Sequence, residues 1–297
     1  MTAGGRPVIV GFDAGPSGAD ALALGRRLRA VLGCRLVVAV VRPAAAAISP
    51  ARVDAEWVAD RHRVATQMLD GARRLLNGVD PDLPVDYRVV ASSSAAHGLH
   101  DLADEVGAAA IVVGSRTEAP HARLFAGSTA ERLLAGSSCP VAVAPSGLRG
   151  WPSGGVTRIG VAYIDTAEAR AALEFAAGVA ARVRAHLHLY TVVADQAEVW
   201  PAGVGRDAER AFLNTARDEY QRALDSAVAG LPEGVHATTH LRTGHAVDVL
   251  SDLGPDEIDI LCCGSRGYGP VRRVMLGGVS SRLVRRARTP LIVVPRA

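Results

Sequence analysis

The chain has 297 residues, about twice a common domain size, and 49% of them are hydrophobic, which predicts two domains that each bury a core. The formal net charge is only +3, and basic residues are scattered among acidic ones, so we expect no nucleic-acid-binding surface. Every basic residue is an arginine. The absence of lysine excludes a Walker-type phosphate loop and Schiff-base chemistry.

No run of about 18 apolar residues occurs, so we expect no transmembrane helix and no membrane partner. The apolar stretch near the N-terminus is broken at Asp13, too early for a secretory signal, which favours a cytoplasmic protein. The cysteines have no spacing typical of zinc or redox sites, and we expect them to be small core residues in a reducing compartment. They are Cys34, Cys139, Cys262 and Cys263.

Short strands alternate with helices along the first half of the chain. A strand at 8–12 is followed by a helix that opens near Ser17, with Asp20 three residues later as a near capping box. Periodicity predicts strands at 35–41, 85–90, 109–113 and 141–144, separated by helices at about 53–76, 97–106 and from 128.

The second half repeats the first. IVVGSR at 111–116 matches LCCGSR at 261–266, an offset of 150, and GSTAERLLAGSSCPVAVAP from Gly127 matches GGVSSRLVRRARTPLIVVP from Gly277 at the same offset. VGFDAGPSGADAL from Val10 matches VAYIDTAEARAAL from Val161, now offset by 151. This duplication predicts domains at 1–147 and 155–297, joined by a Gly-, Ser- and Pro-rich linker at 148–154.

The order of the elements predicts an α/β protein of two tandem doubly wound domains, each a five-stranded parallel sheet with helices on both faces. Ligands of such sheets bind beyond the carboxyl ends of the strands. The loops after the first, second and fourth strands of each half are therefore the places where we expect a site.

One of these loops, GSRGYGPVRRVMLGG at 264–278, is unusually rich in glycine and arginine. Gly264 ends a strand, Gly267 follows three residues later, and Gly277 stands at the start of a helix. Glycine lets a ligand approach the backbone, and a helix N-terminus favours an anion. The loop therefore indicates a phosphate site, although glycines that only permit tight packing would give the same pattern. Lacking a glycine at Arg272, the loop is not a dinucleotide fingerprint.

The spacing G-x2-G-x9-G-S/T after the fourth strand resembles the nucleotide-binding loop of the universal stress protein family. VGFDAGPS resembles that family's opening strand, and CPVAVAP and TPLIVVP are similar to its closing strand. The resemblance implies an adenine-nucleotide alpha-hydrolase-like fold that binds ATP, with or without Mg²⁺, and pairing through the closing strands, either between the halves or between chains. In the first half, the implied ATP-binding residues are Asp13, Val41, Gly114, Ser115, Arg116, Gly127 and Ser128. In the second half, they are Val192, Gly264, Ser265, Arg266, Gly267, Gly277, Gly278 and Ser280.

Each half departs from the family pattern. Thr117 stands where the first-half loop should have its second glycine, and a β-branched residue disfavours positive φ. In the second half, Gly278 replaces the Ser/Thr donor, with Ser280 close by, and Ile164 replaces the aspartate that contacts adenosine. Asp165 could compensate for Ile164, or it could cap the next helix together with Glu168.

Other residues allow weaker interpretations. His186 and His188 share a face of a strand and could bind a metal, but no carboxylate or cysteine with ligand spacing accompanies them. His97, His121 and His245 fall near the predicted ligand loops, where histidines are also common without a role. Arg266, Arg272 and Arg273, and more weakly Arg116 and Arg123, could neutralise phosphates or simply be solvated.

The pattern favours a cytosolic module that binds ATP as a regulatory ligand, with no catalytic residue and no metal site, and at most slow ATP hydrolysis. A scaffold of the same fold that binds no nucleotide is the alternative, since Thr117 and Ile164 break the pattern. An ATP-using enzyme of a related fold is disfavoured because the SGGxDS, HIGH and KMSKS signatures are absent.

Overall fold

The structure is a computed structural model. It describes residues 5–44, 55–116, 123–152, 154–193, 206–267, 274–275 and 278–296, with the backbone alone for 206–213, 266–267 and 274–275. Among these residues, no helix is both long and apolar enough to cross a membrane.

The first half follows the predicted alternation of strands and helices. Its elements are β1 (Val8–Gly11), α1 (Pro16–Leu32), β2 (Leu36–Pro43), α2 (Ala55–Asn77), β3 (Val85–Ser92), α3 (Ala95–Val106), β4 (Ala110–Gly114), α4 (Ser128–Gly136) and β5 (Val141–Ala144).

The second half repeats this order after a short 3-10 helix at Leu148–Gly150, with a small extra ladder before its last helix. Its elements are β6 (Arg158–Ala162), α5 (Ala167–Val183), β7 (His186–Val193), α6 (Arg206–Ala229), β8 (Ala237–Thr243), α7 (Ala246–Ser251), β9 (Ile260–Gly264), β10 (Arg266–Gly267), β11 (Val274–Met275), α8 (Gly278–Leu283) and β12 (Leu291–Val294).

The two halves share one ten-stranded sheet with the order β3-β2-β1-β4-β5-β12-β9-β6-β7-β8. Neighbouring strands within each half are parallel, as predicted, and the closing strands β5 and β12 pair antiparallel, with Ala142 opposite Ile292. The closing strands thus join the two halves within one chain. Since β5 and β12 run in opposite directions, the carboxyl ends of the two sets of parallel strands lie at opposite edges of the sheet.

Alternate residues of each strand feed two apolar cores, one on each face of the sheet. Val8 and Val10 belong to one core, and Ile9 between them belongs to the other, as the two-residue period of a strand requires. Each core contains residues of both halves. The four cysteines are buried and unbridged, which confirms their predicted place in the core.

Two helix starts differ from the predicted capping. Helix α1 begins after Gly15, and the N–H groups of Gly15 and Gly18 donate to Oδ1 of Asp13 at 2.9 and 3.0 Å, so the capping box with Asp20 was wrong. At α5, Oγ1 of Thr166 accepts from the N–H of Ala169, so Asp165 is not the cap. In both cases, a side chain one or more residues away takes the predicted role.

Asp20 instead holds the segment between the halves. Its side chain is 1% exposed and accepts from the backbone N–H groups of Gly147 and Arg149, both at 2.8 Å, and from the Arg149 guanidinium at 3.0 Å. Leu148 between them is fully buried. The start of the predicted linker is therefore packed against α1.

Candidate functional site

A cavity of about 720 Å³ lies where β1, β2 and β4 end and α4 begins, at the predicted edge of the sheet. We refer to it as the first-half cavity. All seven residues predicted for an ATP site in this half line it. They are Asp13, Val41, Gly114, Ser115, Arg116, Gly127 and Ser128.

Asp13 lines the first-half cavity from the loop between β1 and α1. One carboxylate oxygen, Oδ1, accepts the two backbone N–H groups at the start of α1, and these bonds fix the side chain in place. The loop is tied to β2 because the N–H of Phe12 donates to the carbonyl of Ala39. Asp13 itself is exposed to solvent. Its carboxylate is therefore positioned by the fold and still accessible from the cavity.

Gly114 is required by packing. A Cβ atom at this position would lie 2.2 Å from the carbonyl oxygen of Ser17, so a side chain cannot be accommodated without moving the start of α1. Gly264 occupies the same place in the second half, where a Cβ would lie 2.4 Å from the carbonyl oxygen of Glu168. The first glycine of each loop is thus explained by the close approach of strand and helix.

Ser115 closes the loop after β4. Its hydroxyl is buried, donates to the carbonyl of Ala144 at 2.8 Å and accepts from the N–H of Phe125 at 3.2 Å. These bonds bring the chain back toward the start of α4. Ser115 therefore shapes the cavity, and its hydroxyl proton is already used within the protein.

The N-terminus of α4 forms another part of the first-half cavity lining. Gly127 is the N-cap residue in an extended conformation, and Ser128 is exposed, with a hydroxyl that makes no hydrogen bond to the rest of the described chain. The first N–H groups of a helix have no intrahelical partner and carry a partial positive charge. The cavity lining at the N-terminus of α4 therefore favours an anion.

Arginines from both halves also line the first-half cavity. Arg116 lies with its guanidinium 5.5 Å from the ring centre of Phe125. Arg285, from the turn after α8, lines the first-half cavity and forms an ion pair at 2.7 Å with Glu131 in the first turn of α4. Sequence analysis did not identify Arg285, because its place at the first-half site depends on how the two halves pack.

A second cavity, of about 500 Å³, lies at the equivalent edge of the second half. We refer to it as the second-half cavity. Of the predicted residues, Val192, Gly264, Ser265, Gly278 and Ser280 line it. Arg266 and Gly267 form β10, of which only the backbone is described. Gly277 lies outside the described residues, as do Thr117, His121, Arg272 and Arg273.

Hydrogen bonding differs between the two cavities. The hydroxyl of Ser280 donates to the carbonyl of Gly264 at 2.8 Å, so its proton is not free to replace the donor that Gly278 lacks. The hydroxyl of Ser265 is buried and has no hydrogen-bond partner within the described chain, unlike Ser115. Ile164, at the position of Asp13, is 44% exposed and offers no acceptor.

Comparisons with known proteins agree with the duplicated architecture. The model of the universal stress protein family matches residues 5–145 and again residues 155–295. The chain belongs to the universal stress protein family.

Relatives of the same length support this assignment. Universal stress proteins of Mycobacterium bovis and of Mycobacterium tuberculosis are each 29% identical to the chain over 290 residues, covering 97% of this chain and 99% of theirs. The crystal structure of a universal stress protein from Archaeoglobus fulgidus is 18% identical, with a TM-score of 0.64 over 98% of this chain and 97% of that one. The shared fold therefore extends over both halves.

Three histidines of this universal stress protein lie together on neighbouring strands. His188 and His240 stack across β7 and β8, with Nδ1 and Nε2 3.0 Å apart, and His186 lies beside His188. Burial lowers the pKa of both His188 and His240, so the neutral rings are favoured. Over the described residues, no group of three or more His, Cys, Asp or Glu side chains is arranged to hold a metal ion.

Two other histidines lie near the predicted ligand loops. His97 lies 3.6 Å from Asp101 on α3, and His245 at the start of α7 lines the second-half cavity. Cys263 also lines that cavity, and burial raises the pKa of its thiol to about 12, so the thiol stays protonated at neutral pH. We identify no activated nucleophile among the described residues of either cavity.

Proposed function

We propose that this universal stress protein binds ATP in its first-half cavity as a regulatory ligand. The observation that carries the proposal is that one cavity is lined both by a fixed, accessible carboxylate and by a helix N-terminus with two arginines. The carboxylate of Asp13 suits the hydroxyl groups of a ribose, because it accepts charge-assisted hydrogen bonds. The N-terminus of α4 suits a phosphate.

Four further residues would contact the nucleotide. Val41 at the end of β2 offers its backbone to the base, and Ser128 offers a free hydroxyl to a phosphate. Arg116 and Arg285 neutralise phosphate charge. Arg285 now pairs with Glu131, and a bound phosphate would compete for the same guanidinium. Binding in the first half would thereby change a contact made by the second half, which gives ATP a way to favour one conformation.

We propose no catalytic residue, and any hydrolysis of ATP would be slow. Where Mg²⁺ enters, it would do so with the nucleotide, since no metal-binding group is built from the described residues. A turnover above roughly one per second, the low end for ordinary enzymes, would contradict this view.

The test is calorimetric titration of the purified chain with ATP and with adenosine. Asp13→Ala should weaken both ligands by about tenfold or more, the value of a hydrogen bond to a charged group. Arg285→Gln should weaken ATP and leave adenosine unchanged, since it would touch only phosphate. Ile164→Ala, at the equivalent position of the second half, is the matched control and should change neither.

Two results would decide against the proposal. One is the absence of binding by the folded protein at millimolar ATP, which would favour an interaction scaffold of the same fold. The other is equal binding by Asp13→Ala and the parent chain. Asp13 also caps α1 through one carboxylate oxygen. Asp13→Asn keeps an acceptor oxygen for the cap but removes the negative charge, so weaker binding by this variant reflects loss of the ribose contact and not loss of the cap.

A further inference from the structure

The second-half cavity is lined by a different set of side chains from its twin. Ile164 stands in place of Asp13, and Tyr190 stands in place of Ala39: the N–H of Tyr163 donates to the Tyr190 carbonyl as the N–H of Phe12 does to Ala39. Helix α6 contributes Tyr220 where α2 contributes Met68, and Val279 replaces Thr129. At three of these four positions a polar or small residue is replaced by an aromatic or aliphatic one, and at the fourth a methionine is replaced by a tyrosine.

The lining of this cavity is largely apolar. Tyr163, Tyr190 and Tyr220 line it together with Ile164 and Val192. Tyr163 and Tyr190 are only 5% and 3% exposed and belong to the cores on opposite faces of the sheet, so the side chains open to a ligand are those of Tyr220, Ile164 and Val192. The ring of Tyr190 is held in place, because it stacks on His240 with centroids 4.6 Å apart and planes at 13°. A planar apolar ligand would bury area against Ile164 and Val192 and make a ring contact with Tyr220.

Two large aliphatic side chains at this cavity are left exposed to water. Ile164 is 44% exposed and Val279 is 38% exposed, and both line the cavity. Exposed apolar side chains grouped around a concave site are typical of ligand-binding surfaces. Their position is where the other half presents Asp13 and Thr129, which are hydrophilic.

A cationic group stands beside this apolar wall. Arg282 on α8 lines the cavity, and its Nη1 lies 3.4 Å from Nε2 of His245. Nδ1 of His245 lies 3.7 Å from Oδ2 of Asp248, and Arg286 pairs with the other oxygen of that carboxylate at 2.9 Å. Glu168, the carboxylate that also lines the cavity, lies 3.7 Å from Arg296. An anion placed at Arg282 would therefore meet a charge of opposite sign.

We propose that the second-half cavity binds a planar aromatic monocarboxylate, with its ring against Tyr220, Ile164 and Val192 and its carboxylate at Arg282 and His245. A ribose would place hydroxyl groups against Ile164, where they would lose hydrogen bonds to water without replacement. A triphosphate would find no hydroxyl at Gly278 and a helix of only six residues, against nine in α4. A volume of about 500 Å³ is within the range of small-molecule sites and accommodates one fused ring system.

The test uses 2-naphthoate as the probe, with its neutral methyl ester as the ligand control, followed by ligand-observed NMR and calorimetry on the full chain. We expect 2-naphthoate to bind saturably. Its ester should bind at least about tenfold more weakly, since the ester lacks the charge-assisted bonds. ATP at saturating concentration should leave the affinity for 2-naphthoate unchanged. That independence also separates this proposal from the one for the first half.

Three variants make the test specific. Arg282→Gln removes the cation and Ile164→Asp places a repelling carboxylate at the ring, and each should weaken 2-naphthoate by about tenfold or more. Arg288→Gln changes an exposed arginine of the same segment and should have no effect. Arg282 is exposed, so its replacement should leave the fold intact, which circular dichroism checks.

The proposal would be overturned by any of four outcomes. Three are no saturable binding up to millimolar 2-naphthoate, equal binding of the ester, and displacement of 2-naphthoate by ATP. Displacement by ATP would mean that the second half also takes a nucleotide. Equal weakening by Arg288→Gln and Arg282→Gln would likewise show that only the overall positive charge matters.

Discussion

Single residues in the loops carry two kinds of constraint, and Gly114 shows how the structure separates them. Its glycine spacing resembles a phosphate loop, yet the contact that forbids a side chain is with the carbonyl oxygen of Ser17, which would lie 2.2 Å from an added Cβ atom. A glycine at a strand end can thus be required by packing even where a ligand would also bind nearby.

We expect Gly114→Ala to lower the free energy of unfolding by about 1–3 kcal/mol, the cost of overpacking a buried contact. Gly178→Ala, an exposed position inside α5 with no atom within 4 Å of the added Cβ, should raise it by about 0.5–1 kcal/mol. Urea unfolding followed by circular dichroism measures both. Shifts of the same sign in the two variants would refute the packing explanation.

Sequence reasoning at this scale succeeded where residue type alone decides and failed where a nearby residue of similar chemistry competes. The substitution of Ile164 for aspartate could be read directly from the repeat. The caps could not, because Asp13, Thr166 and the predicted Ser17 and Asp165 are all residues that can accept from a helix N-terminus. Which one does so depends on the path of the preceding loop.

Strands β7 and β8 form an element with its own pH dependence. Burial, and then the positive charges that His186 and His240 would carry, lower the pKa of His188. The pKa of His240 is also lowered, first by burial. Lowered pKa values in the folded state mean that both rings contribute stability above the ordinary value of about 6.5, and that this is lost as the pH falls through the folded pKa values.

We therefore expect the free energy of unfolding to decline as the pH falls below about 6.5, and the decline to be smaller in a His188→Gln, His240→Gln double variant. Urea unfolding at a series of pH values measures this. His97→Gln is the control, because that ring is 66% exposed. An unchanged pH profile in the double variant would show that other groups are responsible.

The elements themselves were largely predictable, because long buried strands and amphipathic helices have strong periods. The order of nine elements in the first half agrees with the sequence pattern. The β10–β11 ladder was not predicted, since two-residue strands carry no period. Neither was the shortening of α7 to six residues against twelve in α3, which leaves the histidines of β7 and β8 partly exposed.

At the scale of the whole molecule, Asp20 holds the segment after β5 against α1. Removing its side chain would leave the N–H groups of Gly147 and Arg149 without their acceptor. We expect Asp20→Ala to lower the free energy of unfolding by about 2 kcal/mol or more, since an unsatisfied buried group costs about 1–3 kcal/mol.

The matched control is Arg149→Gln, which removes only the guanidinium bond. Arg149 is about half exposed, so that bond should contribute less than about 1 kcal/mol. Urea unfolding of both variants gives the comparison. An equal loss in the two would mean that the ion pair, and not the backbone N–H groups, makes the contact stable.

The joining of two sheets into one, and the reach of Arg285 into the first-half cavity, could not be derived from periodicity. Both depend on how the two halves pack, and the repeat alone does not indicate which strands of the halves meet. The resemblance to a family left open whether closing strands pair within or between chains. The structure places β5 against β12 in the same chain.

That antiparallel seam has a consequence for how such a protein changes over time. Where two identical single-domain chains pair, each substitution appears at both sites, and symmetry forces the sites to vary together. Fusion of the two copies into one polypeptide removes this restriction while the seam keeps them paired. Position 164 can then lose its aspartate while position 13 retains one, and an arginine at 285 can serve one site although its counterpart, Ala135, is inert. Duplication followed by fusion turns a symmetric pair into two separately adjustable sites.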